Sequence, residues 1–343
     1  MVSDPVLFHA NKNDAARGLP EAGKTILSVA PMLDRTDRHC RYFFRLLAPG
    51  IRLYTEMVVA QAIRHGDRAR LLDFDPLEHP VALQLGGSDP HLLADAAAIG
   101  FSWGYDEINL NIGCPSDRVQ SGSFGACLMS SPGRVADCVR SIADRTGLPP
   151  SVKTRIGIDD QDHYEFLRDF VGEVSAAGCR MFIVHARKAI LSGLSPRENR
   201  MIPPLRYDVV YRLKREFPGL RIILNGGVRD TASVREHLRY ADGVMIGREA
   251  YSNPYWLTEL EALLPDGRPA PNREAVMMQM QEYASRQIGS GVRLSHISRH
   301  LLGLYAGQPG ARNWRRFVTE ASRKADATAA ILEHSLRHFE ASA

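Results

Sequence analysis

Eight short runs of apolar, largely β-branched residues mark the first 250 positions: ILSVAPM (26–32), IRLYTEM (51–57), PVALQLGG (80–87), DEINLNIGCP (106–115), SVKTRIG (151–157), RMFIVHAR (180–187), RIILNGG (221–227) and DGVMIGR (242–248). Each closes on Gly, Pro or a polar residue, the pattern of strands bounded by turns. Stretches of helical character lie between them, such as ADAAAIGF after the third run, EFLRDFVGEVSAAG after the fifth and TASVREHLRYA after the seventh. SPGRVADCVRSIADRTG follows the fourth, with Ser131 as a cap and Pro132 in the first turn. The strands are nearly continuously apolar rather than alternating, as when both faces are buried. Eight βα units in about 240 residues predict an α/β fold, a parallel (β/α)8 TIM barrel. The rival is a doubly wound open sheet, which carries its Gly-rich phosphate turn after the first strand. Here that strand ends in Ala30-Pro31-Met32, and the glycine pairs follow strands seven and eight instead.

Past Pro265 the polar stretch DGRPAPN reads as a linker, and helical patterns resume in EAVMMQMQEYASRQI, SHISRHLLGLYAG and RNWRRFVTEASRKADATAAILEHSLRHF. The predicted organisation is a polar tail over 1–24, a barrel over 25–265 and a small all-helical C-terminal domain over 271–343.

Composition narrows the function classes. The chain has 343 residues, 44% hydrophobic and 24% charged, which is ordinary for a globular protein. No run approaches the roughly 18 apolar residues of a membrane span, and the first residues lack the apolar core of a signal peptide. A cytoplasmic protein without membrane association is expected. Five cysteines with no C-x-x-C pair argue against a disulfide framework and a zinc site, so no metal is expected. No Walker sequence is present, which argues against ATP or GTP hydrolysis. The net charge of +4 is unevenly placed: residues 271–343 hold ten Lys and Arg against six Asp and Glu, leaving the first 270 formally neutral. Seven basic residues fall within 293–324, against the single acid Glu320. Such a patch attracts phosphates, and a solvated helix face is the alternative.

A TIM barrel carries its site at the C-terminal mouth of the strands. The polar groups predicted to arrive there include Gln84, Asn109, Asn111, Cys114, Lys153, Arg155, His185, Arg187, Asn225 and Arg248, with glycine turns at Gly226-Gly227 and Gly247. Those turns let backbone N–H groups approach a phosphate closely. Lys153 could form a Schiff base or stabilise a developing anion on a flavin. Gln84 and Asn111 each donate and accept, which suits the edge of a heteroaromatic ring. Cys114 could serve as a general acid or as a nucleophile. The Gly- and Ser-rich stretch SDRVQSGSFGACLM after it has the composition of a lid, and Cys127 within it reads as packing.

The run NLNIGCPSDRVQSGSFGACLM closely resembles the catalytic segment of tRNA-dihydrouridine synthases. APM, ALQLGG, VKTRIG, VHARKA, ILNGG and GVMIGREAYSNP match that family in order and spacing. RKAILSGLSPRENRMIPPLRYDVV and RHLLGLYAGQPGARNWRR resemble its A branch, and the likeness covers about residues 25–335. It implies FMN as a bound cofactor, NADPH as the reductant, and uridine at positions 20 and 20a of the tRNA D-loop as substrate. Carried over by position, Pro31, Met32, Leu33, Gln84, Lys153, His185, Asn225, Gly226, Gly227, Gly247 and Arg248 would hold FMN. Cys114 would be the proton donor at C5 while hydride reaches C6. Asn111, Arg197, Arg200, Arg312 and Arg315 would touch the RNA. Arg197 stands where A-branch sequences often have Lys, which keeps the charge and changes the contact geometry. No DNA partner is implied, and a monomer is expected. Two other classes remain: a flavin barrel acting on a free small molecule, against which the basic C-terminal region argues, and a non-catalytic RNA-binding protein, which leaves the Cys114, Lys153 and His185 set without a role.

Overall fold

The computed structural model of the chain describes residues 23–340, so most of the predicted N-terminal tail lies outside the described residues. Eight strands, β1 (Ile26–Val29), β2 (Leu53–Val59), β3 (Val81–Gly86), β4 (Glu107–Ile112), β5 (Ser151–Arg155), β6 (Met181–His185), β7 (Arg221–Asn225) and β8 (Gly243–Ile246), form one parallel sheet. Each pairs with its sequence neighbours, and β1 pairs with β8. Between β1 and β2 the Val29 amide donates to the Arg52 carbonyl at 2.9 Å and the Arg52 amide to the Leu27 carbonyl at 2.9 Å, which closes the barrel.

Two apolar clusters hold the barrel. Ile26, Ala30, Tyr54, Ala82, Met181, Ile183, Ile223 and Met245 fill its inside. The larger cluster packs the outward strand faces against the helices and runs on into the C-terminal helices through Met280, Tyr283, Leu301 and Trp314. The strands end sooner than the apolar runs that announced them. Pro31-Met32, Gly113 to Pro115 and Gly226-Gly227 leave the ladder and turn over the mouth instead. β2 lies two residues later than expected, and its register against β3 shifts between Tyr54 and Met57. Ser131 does take the N-cap position of helix Pro132–Thr146, but its side chain makes no capping bond.

The C-terminal region comprises helices Arg273–Gly289, Leu294–Ser298, Ala311–Ala321 and Ala330–Glu340. The helical pattern running from Arg312 divides into two helices, Ala311–Ala321 and Ala330–Glu340, and SHISRHLLGLYAG forms only short turns of helix. One reason is Gly303, where a Cβ would stand 2.5 Å from the Pro254 ring, so the chain must bend close over the barrel edge. This region docks on the helix that follows β1, Arg38–Leu47. Tyr42 and Tyr283 stack with centroids 3.9 Å apart, and the Tyr283 hydroxyl meets His39 Nδ1 at 2.7 Å. Asp37 accepts from Arg299 and pairs with His300 Nε2, both at 3.0 Å. Burial opposes ionisation of Asp37, but the hydrogen bond and charge of His300 outweigh it and hold the carboxyl well below its usual range. Arg299 thus reaches the seam through Asp37, while its side chain stays 44% exposed beside the rest of the basic stretch.

Candidate active site

Strand register brings the candidate residues into a ring at one end of the barrel. Gln84 lies beside Asn109, Asn111 beside Lys153, Arg155 beside His185, and His185 beside Asn225. Cys114 follows β4 and is half-buried. Its amide donates to Asn111 Oδ1 at 3.0 Å, its carbonyl accepts from Ala126 N at 2.9 Å, and Sγ lies 3.4 Å from Ser116 Oγ. Gly125 (φ 80°) lets the following turn close on it, since a Cβ there would sit 2.6 Å from the Cys114 carbonyl oxygen. The stretch read as a lid is thus partly core: helix Asp117–Ser121 leads to a 3-10 turn over Gly125–Ser130, with Val119, Phe124, Ala126, Leu128 and Met129 buried. Cys127 is spent on that packing. Its thiol donates to the Phe124 carbonyl at 3.2 Å, and burial pushes its pKa up.

Lys153 rises from β5 toward this thiol. Its Nζ donates to Asn225 Oδ1 at 3.1 Å, and Asn225 Nδ2 in turn donates to the Met245 carbonyl at 2.8 Å. Burial, then the charge of Arg155, pushes Lys153 down to about 7, against a weaker opposing pull from Cys114. His185 is driven well below its ordinary range by burial and by Arg155, Lys153 and Arg187, so it stands neutral, with Nδ1 buried and unpaired. An unpaired imidazole nitrogen and a buried amine with no carboxylate beside it suit a ligand that is heteroaromatic and anionic. The turns after β7 and β8 supply the remaining part. Gly226 (φ 118°) and Gly227 (φ 75°) adopt backbone shapes that side chains rarely take, and a Cβ on Gly227 would meet Leu205 at 2.5 Å. The short helix Arg248–Ser252 has no side-chain cap at Gly247, leaving N–H groups for a phosphate.

The sequence profile of the dihydrouridine synthase family matches residues 28–340. The chain belongs to the dihydrouridine synthase family. It is 57% identical over 310 residues to the tRNA-dihydrouridine(20/20a) synthase of Xanthomonas axonopodis pv. citri, covering 90% of this chain and 92% of that protein. The Escherichia coli K12 protein of the same name is 55% identical over 312 residues, covering 90% of each. Among solved structures, morphinone reductase aligns with a TM-score of 0.51 at 12% identity, covering 72% of this chain and 88% of that one. An old yellow enzyme homologue from Zymomonas mobilis aligns at 0.51 and 11% identity, covering 70% and 89%. These two share the barrel architecture.

In this family member the structure gathers Gln84, Asn111, Cys114, Lys153, His185, Asn225, Gly226, Gly227 and Gly247 at one mouth. Pro31 and Met32 border it half-buried, whereas Leu33 is 70% exposed. Gln84 and Asn111 differ from expectation. Each was read as free to meet a ring edge, yet they bond each other at 2.8 Å, and Gln84 is buried. Arg197, Arg200 and Arg248 stand exposed at the rim, and Arg312 and Arg315 on helix Ala311–Ala321. The sequence reading left Arg35 and Arg229 out of this rim. Arg200 is lowered by burial and by the charges of Arg248 and Arg35, and Arg187 by burial and those of Arg248 and Arg229. Such crowding of one sign calls for an anion. Two bracing residues also had no role before. Arg155 donates to the Gly113, Lys188 and Asn199 carbonyls, each at 3.1 Å, tying the loop after β4 to the loop after β6. Asn199, fully buried, staples the latter through Ile190 N at 2.7 Å.

Lys153 makes stability depend on pH with a definite sign. Between 10.5 and about 7 the unfolded chain takes up a proton that the folded site refuses. The ligand-free protein therefore loses stability as pH falls through that window and levels off below it. In urea unfolding, wild type is expected to gain about 1–3 kcal/mol relative to Lys153→Met between neutral pH and the alkaline side. Parallel curves for the two proteins would remove this assignment.

Proposed function

We propose that this chain reduces the C5–C6 double bond of uridine at positions 20 and 20a of the tRNA D-loop to dihydrouridine, with FMN as cofactor, NADPH as reductant and Cys114 as proton donor. The observation that carries the reading is the half-buried Cys114 thiol, held by its backbone at the same arginine-rimmed barrel mouth as the Lys153 amine. The names of relatives that are 55–57% identical over 90% of the chain support the positions. When bound, FMN would supply hydride to C6 of the uracil ring after accepting it from NADPH. Lys153, His185, Gln84 and Asn225 would hold its ring system, Pro31 to Leu33 its near edge through their backbone, and Gly226, Gly227, Gly247 and Arg248 its phosphate.

The residues of the chain divide the remaining work. Lys153, charged once an anion is beside it, stabilises negative charge on the bound ring; at an effective dielectric of 20, opposite charges about 4 Å apart attract by roughly 4 kcal/mol before desolvation. Cys114 delivers a proton to C5 from the Sγ side of the base. Asn111 fixes the Cys114 backbone while this happens. The target base must leave the stack of the folded tRNA, at a cost of a few kcal/mol. Arg197 and Arg200 at the rim and Arg312 and Arg315 on the C-terminal region offset this through phosphate contacts. A cytoplasmic monomer meets these needs.

Purified protein is expected to be yellow through gel filtration, to release FMN rather than FAD on denaturation, and to be bleached by NADPH. Protein that stays colourless after incubation with FMN would remove the cofactor and with it the reaction.

A further inference from the structure

Below the mouth, a file of polar side chains crosses the barrel interior. Glu107 at the start of β4 accepts from Arg52 Nη1 at 2.8 Å, from the Tyr54 hydroxyl at 2.9 Å and from the Ser151 hydroxyl. Ser151 Oγ accepts from Asn109 Nδ2 at 2.7 Å, and Asn109 Oδ1 accepts from Gln84 Nε2 at 2.7 Å. Gln84 Oε1 accepts from Asn111 Nδ2 at 2.8 Å, and Asn111 Oδ1 accepts from Cys114 N at 3.0 Å. Glu107, Asn109 and Ser151 are 2%, 0% and 0% exposed, beyond reach of any ligand at the mouth.

We propose that Glu107, Ser151 and Asn109 are positioning residues: their hydrogen-bonded file dictates which atoms Gln84 and Asn111 turn toward the mouth and holds the backbone of Cys114. The file is pinned at both ends. A carboxylate paired with a guanidinium only accepts, and a backbone amide only donates. The single Ser151 hydrogen goes to Glu107, so its lone pair receives Asn109, and the same polarity passes through each amide in turn. Turning any one amide over sets donor against donor and acceptor against acceptor at two contacts in the buried interior, where unmade bonds are costly. Asn111 Oδ1 accepts from both Gly113 N and Cys114 N, at 3.2 and 3.0 Å, and Gln84 Oε1 is turned toward Asn111 inside the file, so Asn111 keeps one N–H unspent. At this wall of the mouth the half-buried Asn111 therefore presents a donor, and the ring edge set against it must offer a carbonyl oxygen or an unprotonated ring nitrogen. The effect on catalysis rests on the function proposed above; the file itself does not.

Ser151→Ala cuts the file while removing no charge, and Asn109→Leu cuts it at the next link. Val152→Ala, at a fully buried neighbour on the same strand that makes no bond in the file, controls for general destabilisation. Hydrogen exchange at the Gly113 and Cys114 amides, followed by peptide mass spectrometry on folded protein, reads the far end directly. Exchange is expected to quicken by about tenfold in Ser151→Ala and Asn109→Leu and to stay unchanged in Val152→Ala. In single turnover, reduced Ser151→Ala should convert bound tRNA about tenfold more slowly, while the steady-state KM for tRNA stays unchanged. Equal amide exchange in the Ser151 and Val152 variants overturns the proposal. A wild type that leaves tRNA unmodified while its amides still respond to Ser151→Ala overturns the proposed function and leaves the file standing.

Discussion

Cys114→Ala is expected to lower dihydrouridine formation by about a hundredfold or more while NADPH still bleaches the flavin at the wild-type rate, because loss of a general acid touches only the second half of the cycle. The geometry supports this split. Cys114 is half-buried at the mouth, its backbone anchored by Asn111 and its Sγ beside Ser116. Of the other cysteines, Cys40, Cys138 and Cys179 are buried, and Cys127 gives its hydrogen to the Phe124 carbonyl. Cys127→Ala should leave turnover close to wild type. Stopped-flow bleaching by NADPH, followed by re-oxidation with unmodified tRNA, separates the steps for both variants. A dead Cys127→Ala beside an active Cys114→Ala would reverse the assignment.

The second large effect concerns tRNA affinity. Seven basic residues lie in the 293–324 stretch, of which Arg299 already pairs with Asp37. Arg312 and Arg315 lie one turn apart and exposed, on a helix fixed from beneath by Trp314, whose indole donates to Ser335 Oγ at 3.0 Å. If about four of these residues reach phosphates, the slope of log K against log salt is expected near −3 to −4, since each contact releases condensed counterions. Changing Arg312 and Arg315 together to Ala should flatten the slope by about one to two units and raise the KM for tRNA, with flavin reduction untouched. Filter binding of wild type and double variant over a salt series measures it. Equal slopes would mean that this face is merely solvated and that phosphates are held elsewhere.

How far the sequence foretold this molecule depends on what each feature is made of. The barrel was legible because a doubly buried parallel strand needs a continuous apolar run, and eight such runs alternate with helical stretches. Their ends were overdrawn because the same small and apolar residues continue into the mouth turns, as in Ala30-Pro31-Met32 and Asn225-Gly226-Gly227. The site residues were legible because position at a strand's end predicts arrival at the mouth. What they bond to was not, since neighbours such as Gln84 and Asn109 are joined by strand register, which no local pattern encodes. Glu107 did leave a signal, a carboxylate opening a buried strand, but its partner Arg52 lies 55 positions away. The composition of the stretch after Cys114 suggested a mobile lid because Gly and Ser were counted without Val119, Phe124 and Met129, which bury themselves beneath it. The basic C-terminal stretch was legible as charge, while the pairing of Arg299 with Asp37 required the docked helices.

The most direct test of the central claim is mass spectrometry of tRNA from a strain lacking this gene, complemented with wild-type protein or with Cys114→Ala. D-loop uridines 20 and 20a are expected to lose two mass units in the deletion strain, regain them with wild type and fail to regain them with Cys114→Ala. Unchanged dihydrouridine at both positions in the deletion strain would contradict that claim.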